Sequence, residues 1–393
     1  METEERIWEA RYVIPGRPTM DGRPYDAVVP DHIATKQFAL DPDVLAEACV
    51  AEREITRFDV ELSQQFEGEF APLPAVLLRT ESTSSSMIEN ITAGAKALAL
   101  AELGIAKYDS NARLIVANVR AMTTALTITG PLTLPHILGI HSVLMEGQEQ
   151  ADPGHLRSVQ VWIGGSDYSP HDAAFIPPHQ DHVEPAMEDL CAFMGRFDLP
   201  IIARAALAHA QFETIHPFCD GNGRTGRALV HIMLRNSGAT TKTTIPVSSG
   251  LLSNTTAYFE ALTAYRRGDP NPIVQQFSAA SFRALKNGRH LAADLVRIRQ
   301  EWNARIQTRG DAAVHRLLGL LITQPSLTSS IVQDRLGISQ PTADNALHQL
   351  RDLQIVTAKK KRGAGNRIAH VYHAPEIHAA LDEFGNRSRR KYT

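Results

Sequence analysis

The chain has 393 residues, three cysteines and a formal net charge of −3, with a mean hydropathy of −0.18. That length allows about two or three domains with cores of their own. Cys49, Cys191 and Cys219 are odd in number and far apart, which excludes a disulfide framework or a zinc pattern and points to a reducing, cytoplasmic setting.

Residues 1 to about 40 are rich in Pro, Gly and Asp and read as an irregular arm. The opening METEERIWEARYVIP has no apolar core, and no run of about 18 apolar residues follows anywhere, so neither export nor membrane insertion is expected. Helical spacing of Val44, Leu45, Ala48, Phe58 and Leu62 predicts a helix over 41 to 64. In RTESTSSSMIENITAG the Ser and Thr residues are good N-caps, and Ile88, Ile91 and Ala95 continue with helical period, so a capped amphipathic helix is expected there. An Ala- and Leu-rich helix follows over about 92 to 107, then two helices over 117 to 145, broken near Gly130 and Pro131. The second is capped by Thr133 with Pro135 in its first turn. Val159, Val161 and Ile163 alternate before Gly164 and Gly165, the pattern of a short hairpin over 157 to 178. Residues 185 to 213 read as two apolar helices split near Pro200.

These lead into HPFCDGNGRTGR, residues 216 to 227. Gly221, Gly223 and Gly226 leave backbone N–H groups open where a strongly apolar helix begins, and exposed N–H groups at a helix N-terminus favour phosphate. Arg224 and Arg227, three apart, share a helix face and can clamp a polyphosphate. Asp220 is a hard oxygen ligand of the kind Mg²⁺ takes when shared with phosphates, and His216 has the ordinary pKa of a general base near neutral pH. Any one of these features alone is usually just a turn; the combination in twelve residues makes a nucleotide site. Neither GxxxxGK[ST] nor a GxGxxG after a β-rich run occurs, which removes the common alternatives.

This stretch resembles the Fic signature, HxF, one residue, Asp or Glu, then GNGRxxR, at every defining position. The resemblance covers roughly residues 40 to 290. It implies a mostly α fold: a helical core with a small β-hairpin flap. It also implies a protein adenylyltransferase, which moves AMP from ATP onto a Ser, Thr or Tyr hydroxyl of a target protein, the chain itself included. On it His216 would be the base and Asp220 the Mg²⁺ ligand. Gly221, Asn222 and Gly223 would cradle the phosphates, Arg224 would contact them further out, and Arg227 would hold the γ-phosphate. Ser85 to Asn90, SSMIEN, fits the family's inhibitory pattern, so Glu89 would occupy Arg227 and block productive ATP. The 157 to 178 hairpin would be the flap that aligns the target by strand addition; on the residues alone it is equally a connector. Cys219, inside the motif, is at a position the family leaves variable and is expected to pack.

After the motif, Asn254 and Tyr258 stand where family members approach adenine, Tyr258 being equally well a core residue, and Thr255 stands where many members carry Arg. A long helix is expected over about 272 to 307. Residues 311–393 carry 12 Lys and Arg against 7 Asp and Glu. Helices over 317 to 322, 329 to 336 and, capped by Ser339, 340 to 353, then strands at 355 to 357 and 367 to 372 flanking AKKKRGAGN, outline a winged helix-turn-helix. Its wing, Lys359 to Arg362, suits DNA phosphate. Winged helices also dock proteins or form homodimers, and a basic loop can simply be solvated. The expected division is an N-terminal part (1–110) with the inhibitory helix, a catalytic core (111–308) and the C-terminal module (311–393). Two other functions use the same residues: removal of AMP from a modified protein, and a DNA-binding regulator whose core senses nucleotide.

Overall fold

The computed structural model describes residues 1–10, 20–65, 73–105, 110–166, 168–306, 312–362 and 368–390. The fold is mostly helical and divides into two compact units. The first joins Met1–Glu52, Thr123–Ser237 and Thr256–Ser278; the second joins Arg53–Met122, Gly238–Thr255 and Ala279–Thr393. Helices α1 (Pro42–Gln65), α4 (Ser110–Ala125), α10 (Thr255–Arg266) and α11 (Asn271–Arg305) contain four of the boundaries.

In the first unit, α6 (Val183–Met194), α7 (Ile201–Ile215) and α8 (Asn222–Asn236) pack in sequence, with α5 (Leu134–Leu144) against α8. All 15 residues of α7 are buried, so the helix has no solvent-exposed face, as expected of the central element of a layered helical core. Close approach of α7 and α8 depends on Gly226: a Cβ there would lie 2.8 Å from Phe212 Cδ1 and 3.0 Å from His209 Nδ1. The expected start of α5 is realised, with Thr133 and His136 closing a capping box.

The arm expected at the N-terminus is instead an antiparallel hairpin, β1 (Glu2–Ile7) with β2 (Pro24–Val29), registered Glu2 to Val29 and Ile7 to Pro24. Residues 11–19 of that arm lie outside the described residues. The hairpin is anchored by Trp8 and Tyr25, buried with Ala27, and Trp8 meets Trp162 edge-on at 5.3 Å. The segment expected as a second hairpin is present as one antiparallel bridge, Ile163 to Phe175, whose intervening residues include a short 3₁₀ turn at Pro170–Asp172. Ile163 N–H donates to Phe175 O at 2.9 Å and its carbonyl accepts from Ala174 N–H at 2.9 Å.

In the second unit, α2 (Leu73–Ile88) packs on α9 (Val247–Leu252). Its Ser and Thr residues do not cap a helix start: they lie inside the helix and are largely buried. Their hydroxyls bond back along it, Thr83 Oγ1 to Arg79 O at 2.8 Å and Ser86 Oγ to Ser82 O at 2.9 Å. Glu81, fully buried, accepts from Ser248 N–H at 2.9 Å and from the Ser248 hydroxyl. The helix ends at Ile88, short of Ile91 and Ala95, because Asn90 turns left-handed at φ 61° and Ile91 N–H closes on Ser86 O at 3.1 Å. The next helix is α3 (Ala95–Glu102), and the expected continuation over 106–107 lies outside the described residues.

Further along the same unit come α12 (Ala312–Thr323), β3 (Ser326–Leu327), α13 (Ser329–Leu336), α14 (Gln340–Asp352), β4 (Thr357–Arg362), β5 (Ile368–His373) and α15 (Pro375–Arg389). The strands form a sheet in the order β3-β5-β4, all antiparallel. Thr328 and Ser339 cap α13 and α14, and Gly337 turns between them at φ 63°. Strand β3 and helix α15 go beyond the expected elements; α15 packs on α2, α3 and α9. The tip of the expected wing, 363–367, and the side chains of residues 361 and 362 lie outside the described residues. No helix among the described residues is long and apolar enough to cross a membrane.

Candidate active site

The motif begins where α7 stops. His216 is the C-terminal cap of α7 in the left-handed region, φ 49° and ψ 62°, with its N–H still bonded to Phe212 O at 2.8 Å. A non-glycine residue in that conformation is strained by about 1 kcal/mol or more, and strain of this kind persists where the surroundings fix the side chain. The surroundings are visible. Arg157, 3% exposed, donates Nε to His216 O at 2.8 Å, Nη1 to Val159 O at 2.9 Å, and Nη2 to Pro178 O at 2.5 Å and Ile215 O at 3.3 Å. One buried guanidinium thus ties the turn at His216 to both ends of the 157 to 178 segment. Arg266 works beside it, giving Nη2 to Glu213 O at 3.2 Å while its guanidinium lies 3.7 Å from the Phe175 ring centroid.

Burial decides the state of His216, and these two cations add to it. Burial first, then the charges of Arg157 and Arg266, push its pKa well below the usual histidine range. The imidazole is therefore neutral near pH 7, the form that accepts a proton. Its Nδ1 lies 3.8 Å from Glu213 Oε2, close enough for attraction and too far for a hydrogen bond.

From His216 the chain enters the turn. Asn222, 3% exposed, accepts from Phe218 N–H at 2.9 Å and donates to Phe218 O at 2.8 Å, so its side chain brackets the turn from inside. Any anion contact it makes falls to its backbone N–H at the start of α8. His141 supports the turn from α5. Its Nδ1 accepts from Gly154 N–H at 3.0 Å, which leaves the proton on Nε2 to donate to Asp220 O at 3.0 Å. Its ring stacks on Phe218, 3.7 Å between centroids, and burial lowers its pKa to about 4.

Gly221 takes φ 76°, and a Cβ would lie 2.8 Å from Met145 Sδ, so it serves the turn as expected. Gly226 does not join it as an open N–H; its role is the α7–α8 contact. Asp220 projects outward at 60% exposure, with Oδ1 accepting from Gly221 N–H at 2.5 Å and lying 3.6 Å from Arg224. Arg224 and Arg227 are 2% and 3% exposed and, three apart, share one face of α8, which Asp220 precedes. The result is an exposed carboxylate, a glycine turn at a helix N-terminus and two buried cations on the helix that follows a neutral histidine. It can take a polyphosphate and accept a proton from a hydroxyl.

Cys219 is exposed, so it does not pack as expected. Tyr258 is a core residue: 1% exposed, its hydroxyl 2.6 Å from His209 Nε2. Asn254 lies half-buried in the turn between α9 and α10, its N–H on Leu251 O at 3.1 Å. Ser85 is buried within α2, and Glu89 follows its last residue in a half-buried turn. His216, Asp220, Arg224, Arg227 and Tyr258 fall in the first unit; Ser85, Glu89 and Asn254 fall in the second. Arg157, His141 and Arg266 are not apparent from the sequence. Each is a single residue of an ordinary type, far along the chain from the motif it holds.

Comparison with known proteins agrees with this geometry. Residues 131–234 match the Fic/DOC family. The chain is 26% identical over 147 residues to protein adenylyltransferase fic-1 of Caenorhabditis elegans, covering 37% of this chain and 26% of that protein. It is 30% identical over 154 residues to protein adenylyltransferase Fic of Drosophila grimshawi, covering 37% and 27%. The Drosophila mojavensis protein of the same name is 28% identical over 209 residues, covering 51% and 37%. The chain therefore spans well under half the length of these curated relatives. Among solved structures, a Fic family protein from Desulfovibrio desulfuricans shares the fold, with a TM-score of 0.54, 21% identity, and coverage of 86% of this chain and 97% of that one. Motif and matches agree that residues 131–234 are similar to the Fic/DOC family, and the fold of the chain is that of a solved Fic family protein.

Proposed function

We propose that the chain is a protein adenylyltransferase that transfers AMP from ATP to a Ser, Thr or Tyr hydroxyl of a protein. The observation that carries this is His216, fixed by Arg157 at the end of α7 where the chain enters the Asp220 to Arg227 turn. ATP lies with its phosphates on the Gly221 to Gly223 turn, against Arg224 and Arg227. His216 accepts the proton of the target hydroxyl as its oxygen attacks the α-phosphorus. The bond to the β-phosphate oxygen breaks and pyrophosphate leaves. Charge stabilisation and positioning supply the rate, as in other phosphoryl-type transfers.

Asp220 fits a Mg²⁺ carried by the phosphates: it is an exposed carboxylate at the turn, and no three-residue metal cluster accompanies it among the described residues. Mg²⁺ bound there would neutralise phosphate charge.

The same reading makes Glu89 a brake that competes with the γ-phosphate for Arg227. The SSMIEN pattern of residues 85 to 90 supports this. Transfer of α-labelled ATP to protein tests both parts. Labelling is expected to be weak in the wild type, strong in Glu89→Gly and absent in Glu89→Gly with His216→Ala. Equal labelling of the wild type and Glu89→Gly removes the brake; labelling that survives His216→Ala removes the mechanism.

A second reading concerns residues 312–390. The order α12, β3, α13, α14, β4, β5, with caps on α13 and α14 and exposed Lys359 and Lys360 on β4, supports a winged helix that contacts DNA phosphate. Binding to duplex DNA that weakens steeply with salt, and weakens in Lys359→Ala with Lys360→Ala, is the expected result.

A further inference from the structure

At the end of α7 opposite His216, a buried charge lacks what a buried charge requires. Arg204 is 4% exposed. Its Nε and Nη1 are buried without a hydrogen-bond partner among the described residues. The two carboxylates that act on it electrostatically, Glu52 and Asp198, are committed elsewhere. Glu52 Oε2 accepts from Ile201 N–H at 3.1 Å, and Asp198 takes both Arg196 Nε at 2.8 Å and Nη2 at 2.5 Å. Neither comes within ion-pair distance of Arg204. Arg204 also stands in the first turn of α7, where the positive end of the helix dipole repels a cation. Burial accordingly depresses its pKa below the usual arginine value.

Arg204 lines a cavity of about 190 Å³. The other walls are largely apolar, with Pro131, Leu132, Met194, Phe197 and Met233 among them. Phe197 is 83% exposed, and the Arg204 guanidinium lies 4.9 Å from its ring centroid. A large aromatic side chain left in water beside an unsatisfied buried guanidinium offers two unmet demands at one place: apolar cover and a planar acceptor pair.

We propose that this cavity is a second ligand site of the Fic-domain unit, taking a small monocarboxylate whose short aliphatic tail lies against Phe197, Met194 and Met233 while its oxygens accept from Arg204. Size argues for a small occupant, since drug-sized ligands need about 300 Å³ or more. The carboxylate group matches the fork of a guanidinium, and the helix end adds attraction for either anion. Phosphate would also satisfy the charge but would leave the apolar walls uncovered.

The test is calorimetric titration of the full chain with pentanoate, with pentanol and inorganic phosphate as separate probes, alongside thermal unfolding. Pentanoate is expected to bind with a dissociation constant on the order of 1 mM and to raise the unfolding midpoint by about 2 °C at tenfold excess over that value. Arg204→Met is expected to lose at least tenfold in affinity while remaining folded, and Phe197→Ala to weaken pentanoate without creating phosphate binding. Pentanol binding as well as pentanoate would show a merely apolar cavity and overturn the proposal. So would phosphate binding more tightly than pentanoate, affinity unchanged in Arg204→Met, or no saturable binding up to about 50 mM.

Discussion

Two arginines, near opposite ends of α7 and equally buried, have opposite fates. Arg157, 3% exposed, meets four carbonyl oxygens; Arg204, 4% exposed, meets none among the described residues. Burial alone therefore does not say what a charge is for. Surrounded by a full set of acceptors, a guanidinium is a staple, and its field adds to the burial that keeps His216 neutral. Left without acceptors, it costs free energy that a ligand would return.

The largest effect expected from breaking this contrast is at the satisfied end. Arg157→Met strands the carbonyls of Val159, Pro178, Ile215 and His216 and should cost about 3–5 kcal/mol, read from denaturant unfolding. Arg157→Lys, with three donors on a different geometry, should recover part of the stability but less of the transfer activity, because it cannot span the same carbonyls. A loss below about 1 kcal/mol in Arg157→Met would mean that water replaces the guanidinium and the staple is not structural.

The next effect is on pH. His141 and His209 are buried, with pKa values lowered to about 4 and about 3 mainly by burial, and His216 is lowered in the same direction. The unfolded chain binds protons at these histidines below about pH 6.5 while the folded chain does not. Their contribution is thus fully present above that pH and is lost as pH falls toward the folded values. For His141 and His209 the loss is up to about 2 kcal/mol each between pH 6.5 and 5. Urea midpoints measured from pH 8 to 5 should fall along this range, and fall less steeply in His141→Asn. A flat profile would contradict the burial of these rings.

How much of this is legible in the sequence follows from the same physics. The motif is legible because Gly, Asn, Asp and Arg at fixed short spacing are needed together to make one turn, so the information is local. Helices α5 and α13 to α14 are legible because Thr133, Ser339 and Gly337 mark their ends with side chains that do local work. Hairpin β1–β2 is not: Glu2 to Ile7 is exposed or half-exposed along its length, so no apolar alternation betrays a strand. The start of α2 departs from expectation because Ser and Thr hydroxyls that usually cap are here satisfied by carbonyls three or four residues back. Arg157 and His141 are hidden because their partners are set by tertiary contact, 59 and 79 residues away.

Gly226 sharpens the comparison from the packing side, since it sits between the two arginines on the α7–α8 contact. Gly226→Ala would place a methyl 2.8 Å from Phe212 Cδ1. Both are on buried helices, so relief requires the helices to part, at a cost of about 1–3 kcal/mol. The displacement would reach His209 and, through α7, the turn at His216. Transfer activity should fall along with stability, and a variant as stable as wild type would show that the ring can rotate away.

The smallest expected effect carries the opposite sign. Removing a buried charge usually destabilises because it orphans a partner, but Arg204 leaves no hydrogen-bond acceptor behind among the described residues. Arg204→Met keeps the length of the side chain and its contact with Phe197. It removes a desolvated cation from the positive end of a helix. Unfolding stability should therefore rise, by about 1 kcal/mol, at low and at high salt alike, because the charge is shielded from ions by burial. A loss of stability in Arg204→Met would mean that Glu52 or Asp198 depends on the guanidinium after all, and Arg204 would then join Arg157 as a staple.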